Sequence, residues 1–108
     1  MRMSIASFWL LTVWSGAAAA ASTAEVIDGL KKMNTDMCIQ IGSNVPHAPK
    51  DPKLVSPYCA CVSEAYWQSV PDAEQQEVIS KGSSPGVRRN LNTRMLAAQA
   101  ACKKQIGF

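Results

Sequence analysis

Apolar residues recur at helical spacing in four separate stretches of this chain, and start and stop signals bracket each stretch. In the first, Val26, Leu30, Met33, Met37 and Ile41 form a stripe, with Ile27 and Cys38 beside it and Asp28, Lys31, Lys32 and Asp36 on the opposite face. Ser22 and Glu25 stand at the spacing of a capping box, and Gly42 is a natural stop. The second stretch follows Ser56-Pro57, where serine can cap the first free N–H groups and proline suits the first helical position. Its apolar side chains are Tyr58, Val62, Ala65, Tyr66 and Trp67, and Pro71 ends it. The segment before it, Ser43 to Val55, holds Pro46, Pro49 and Pro52 and reads as an extended surface loop.

Pro71-Asp72-Ala73-Glu74 opens a third helix, short and mostly polar, with Val78 and Ile79 as its core residues and Lys81-Gly82 as its end. Ser84-Pro85 opens a fourth. There Val87, Leu91, Met95, Ala98, Cys102 and Ile106 form the stripe, flanked by Arg88, Arg89, Arg94, Lys103 and Lys104. No segment alternates as a half-buried strand would. The expected fold is all-α, a small four-helix domain over residues 22–108.

The N-terminus changes the setting. Arg2 precedes the apolar run Ile5, Phe8, Trp9, Leu10, Leu11 and Val13, which gives way to Gly16 and then Ala17 to Ala21. A positive start, a short apolar core and a small-residue tail describe a secretory signal peptide over residues 1–21, cleaved after Ala21. The alternative, an uncleaved anchor, needs about 20 strongly apolar residues, and the run is shorter. With Arg2 removed, ten basic side chains face eight acidic ones, which is not the clustered basic excess of a nucleic-acid binder. No later segment is apolar enough to span a membrane, so a periplasmic or secreted protein is expected.

Export gives the four cysteines their meaning. An even count in an oxidising compartment implies two disulfides, which a core this small needs. On a helix, Cys59 and Cys61 lie two residues apart, about 200° around the axis, and their sulfurs diverge. They cannot easily bond each other, so each reaches either Cys38 or Cys102; sequence leaves both pairings open. In outline the chain resembles small exported helical bacterial proteins held by disulfides, a group that includes inhibitors, immunity proteins and periplasmic chaperones. That likeness rests on the signal peptide, size, helix count and cysteine number, and no functional residue is carried over from it.

Candidate chemistry is sparse. Cys59 and Cys61, with Met33 and Met37, could hold copper or zinc in an exported carrier, but only as free thiols. The methionines already continue the apolar stripes, which makes them expected core residues along with Met95. His47 is the single histidine and lies in the proline loop. No acid–base pair, phosphate loop or metal-binding motif emerges, and no cofactor is expected. Tyr66 and Trp67, if exposed, would suit a protein-binding hot spot, and Arg88, Arg89 and Arg94 would suit an acidic partner. The expected function is non-enzymatic: binding a protein partner in the cell envelope through Tyr66, Trp67, Arg88, Arg89 and the Val45–Lys53 loop.

Overall fold

The structure, a computed structural model, describes residues 22–108; the expected signal peptide lies outside the described residues. Four α-helices and one short 3-10 turn make up the architecture, with no strand among the described residues. Helix α1 spans Thr23–Ile41. Its capping box is formed: the Glu25 N–H donates to Ser22 Oγ at 3.2 Å, and the Ser22 N–H donates to Glu25 Oε1 at 3.4 Å. Gly42 ends the helix at φ 66°, where a side chain would be strained, and opens the 3-10 turn Gly42–Asn44.

Helix α2 spans Pro52–Gln68 and starts one turn earlier than Ser56-Pro57 suggests. Asp51 supplies the cap, accepting from the Lys53 N–H at 3.0 Å, and Pro52 takes the first helical position, where an N–H would be unpaired anyway. Pro57 therefore falls inside the helix, just beyond its first turn. There its missing N–H removes a single bond, to the carbonyl of Lys53. Helix α3, Asp72–Lys81, ends on Gly82 in the left-handed conformation. Helix α4, Pro85–Ile106, is capped by Ser84, whose hydroxyl accepts from the Val87 N–H at 3.4 Å and donates to Glu77 at 2.9 Å. Among the described residues no helix is long and apolar enough to cross a membrane.

Helix α2 is the axis of the packing. It supplies most of the buried core: Val55, Tyr58, Cys59, Val62, Tyr66 and Trp67. To these α1 adds Ile27, and α4 adds Ala98 and Cys102. Both outer helices run antiparallel to α2, since Asn34 and Cys38 of α1 meet Trp67 and Cys59, while Cys102 of α4 meets Cys61, and Phe108, just past α4, meets Tyr58. The opposed sulfurs of the Cys-x-Cys thus reach opposite neighbours, Cys38–Cys59 tying α1 and Cys61–Cys102 tying α4. Helix α3 packs against the N-terminal part of α1, where the Gln76 side chain donates to Thr23 Oγ1 at 3.0 Å.

One expectation fails in an instructive way. The α1 stripe was expected to be core, yet Met33, Met37 and Ile41 are 56%, 55% and 54% exposed. The side of α1 that meets α2 is instead the row Ile27, Lys31, Asn34 and Cys38. Two of those positions are polar and are satisfied across the interface: Lys31 pairs with Glu64 at 3.0 Å, and Asn34 accepts from the Trp67 indole N–H at 3.0 Å. Leu30 of the stripe still packs against the core, whereas Met37 and Ile41 face a space that α4 does not close.

The two cross-links are expected to dominate stability. From sequence separations of 21 and 41 residues, replacing Cys38 and Cys59 by serine should cost about 3 kcal/mol and replacing Cys61 and Cys102 about 4 kcal/mol. Urea unfolding of the exported protein measures both; a midpoint unmoved in either double variant would refute the staple account.

Candidate binding groove

Because α1 and α4 each pack on α2 and no comparable contact joins them to each other, a seam remains between them. The seam is an open apolar groove of about 630 Å³. Its α1 wall is Leu30, Met37 and Ile41; its α4 wall is Val87, Leu91 and Met95; its floor is the aromatic face of α2. The C-terminal end of α3 and the turn after it, including Val78 and Ser83, also line it. The walls are the very stripes that periodicity marks as core. They are core-like surfaces facing a gap. Burying a side chain such as Met, Ile or Leu stabilises by about 1.5–3 kcal/mol, and much of that is unrealised at Met37, Ile41 and Leu91.

The floor is rigid. Trp67 is held by its bond to Asn34 and stands edge-on to Tyr66, with ring centroids 5.4 Å apart at 87°. Tyr58 stands edge-on to Phe108 at 5.4 Å. Tyr66 and Trp67, expected as exposed contacts, are only 5% and 7% exposed. They shape the groove from below and do not stand out as free hot-spot side chains. The hydroxyl oxygens of Tyr58 and Tyr66 are buried with no hydrogen-bond partner among the described residues. Burial pushes both phenols above their ordinary range; for Tyr66 the charge of Arg94 acts in the opposite sense and that of Glu74 reinforces the rise.

Charge is placed sparingly. Arg88 is the one charged side chain in the described lining, which contains no carboxylate and no histidine. Arg88 is exposed and makes no ion pair with the described residues, and the adjacent Arg89 is exposed as well. Arg94 does not join them in a basic patch. Its guanidinium donates to both Glu74 carboxylate oxygens, at 2.7 and 3.2 Å, with the two side chains only 15% and 19% exposed. The hydrogen bond from Arg94 holds the Glu74 carboxyl below its usual range, and the same bond raises Arg94. This fork fastens α3 to α4 beside the groove. The chain comes close at that point: a Cβ on Gly86 would lie 2.6 Å from the Glu74 carboxyl carbon.

The Val45–Lys53 loop does not act as one surface. Val45 reaches the groove, whereas His47 lines a separate hollow with Leu96 and Lys103, and Asp51 and Lys53 belong to the α2 start. Both sulfurs of the Cys-x-Cys are in disulfides, which leaves no thiolate for copper or zinc. Sequence reasoning missed Met33, Met37, Ile41 and Leu91 as surface residues, whereas Met95 packs half-buried against the core as expected. A signal was available: the α1 apolar positions from Val26 to Ile41, with Ile27 and Cys38, span more of the helix than one neighbour covers, and the third helix is too polar to cover the rest. No protein-family model matches the chain, and no curated protein or solved structure matches it.

Two expectations follow from this geometry. Gly86→Ala should destabilise by about 1–3 kcal/mol, since Glu74 is anchored and cannot yield. In a Glu74→Ala background the same change should stabilise by about 0.5–1 kcal/mol, the ordinary gain of alanine over glycine in a helix. Urea titration of the four proteins decides it, and an equal cost in both backgrounds would show that the carboxylate is not the obstacle. Separately, Tyr58→Phe and Tyr66→Phe each remove a buried hydroxyl without a partner, so each should stabilise by about 1 kcal/mol. A loss of thermal midpoint in either variant would reveal a bond that the structure does not contain.

Proposed function

We propose that this chain is an exported, non-enzymatic binding protein of the cell envelope, of inhibitor, immunity or accessory type, which receives a protein partner in the α1–α4 groove. The observation that carries the proposal is the pair of uncovered apolar walls, each pinned by its own disulfide to the same rigid floor. Monomeric soluble proteins rarely leave such a surface open without a use, and extended apolar patches mark interaction sites. Fixing the walls before binding also reduces the entropy lost on association. Two disulfides suit an oxidising compartment outside the cytoplasm. A copper or zinc carrier built on Cys59, Cys61, Met33 and Met37 has no observation in its favour, because both cysteines are already bonded.

A photoreactive benzoylphenylalanine at position 91, whose leucine is 44% exposed on the groove wall, tests the proposal in cells that export the protein. A protein adduct of discrete mass is expected from that position. The same probe at Ile39, an exposed apolar position outside the groove lining, should give none. Equal adducts from both positions, or none from position 91, would remove the groove as the binding surface.

A further inference from the structure

We infer that the occupant of the groove is a single amphipathic helix of about three turns, carrying an apolar stripe and an acidic residue at the α3 end. This rests on the protein-capture reading above and names the chemistry of the partner. Its length follows from the walls. Leu30 to Ile41 on α1 and Val87 to Gln99 on α4 each cover about 17–18 Å at 1.5 Å per residue, which matches a helix of about 11–12 residues. Its form follows from the packing. Both walls are helices lying antiparallel to the floor helix, so a further helix laid between them would pack on α1, α2 and α4 as in a helical bundle.

The rims choose a helix over a thinner ligand. On the two walls of the groove, Met37 and Leu91 are each about half exposed. An acyl chain sunk into the groove would leave these rim side chains wet. A helix about 10 Å across stands above both rims and covers them, and methionine adapts to the apolar side chains it meets. The charge at the site sets polarity. Arg88 lies on the first turn of α4, next to the end of α3, with exposed Arg89 beside it and no carboxylate in the described lining. An acidic side chain, helped by the negative end of the occupant's own dipole, complements that end; at the far end, by Ile41 and Val45, the described lining carries no charged side chain.

The test uses the full mature protein and two fluorescein-labelled model peptides of about 14 residues, three to four turns each. Both carry leucine at i, i+3, i+4 and i+7; one has glutamates in its last turn and its twin has lysines there. By fluorescence anisotropy the glutamate peptide should bind at least about tenfold tighter than its twin. Arg88→Glu should reverse that order, and Leu91→Glu or Met37→Glu, on opposite walls, should abolish binding with circular dichroism unchanged. Equal binding of the twins, or binding unmoved by the wall variants, overturns the assignment. Oleate binding that depends on Leu91, with neither peptide bound, would assign the groove to an acyl chain. A Leu91-dependent dimer in sedimentation equilibrium would assign it to a second copy. An in-cell protein adduct from position 91 without discrimination between the peptides would leave protein capture standing and remove the acidic helix; failure of both removes both readings.

Discussion

The structure depends on one constraint of helical geometry: side chains two residues apart cannot point the same way. Cys59 and Cys61 on α2 therefore commit to different neighbours, and the result is two covalent ties leaving a single helix in opposite directions. Each tie holds a flanking helix on α2 and neither holds those helices to each other. The short α3, mostly polar and without a buried residue, has little apolar surface with which to close the side opposite α2. An open seam is the consequence. In a chain this small, whose core alone would be marginal, the ties also allow apolar surface to stay exposed without loss of the fold.

Polar groups do the remaining positioning. Asn34 and Lys31 are unusual choices for the side of a helix that meets the core helix, and each is satisfied by a specific partner on α2. Their effect is to turn α1 so that Met37 and Ile41 face the seam instead of α2. The Glu74–Arg94 fork performs the matching task at the other wall, setting α3 against α4 and removing Arg94 from the pool of free cations. Among the described residues, what remains in the groove lining is one charged side chain, Arg88, at one end of a mostly apolar channel. Such a surface distinguishes the ends of whatever occupies it.

The described lining of the groove is apolar apart from a few hydroxyl and amide side chains and the guanidinium of Arg88. Two of its hydroxyls, those of Tyr58 and Tyr66, belong to buried phenols that burial pushes above their ordinary range. Shape, apolar contact and one charge are the means of recognition on which the proposed function draws.

The sequence by itself determined the local elements and their limits. The Ser22–Glu25 box, Gly42, Ser84-Pro85 and Gly82 act within a turn of their own positions, so four helices and most of their ends were legible. The divergence of Cys59 and Cys61 was legible for the same reason, being a matter of two residues on one helix. The start of α2 was not, because Asp51-Pro52 and Ser56-Pro57 are both competent helix starts and only packing selects between them. Tertiary structure alone decided which cysteine met which, that Tyr66 and Trp67 form a buried floor, and that Met33, Met37 and Leu91 stay exposed. Periodicity reports which side chains share a face. Whether another helix lies opposite that face depends on how distant segments are tied together, and here the ties to α2 keep the two apolar faces apart.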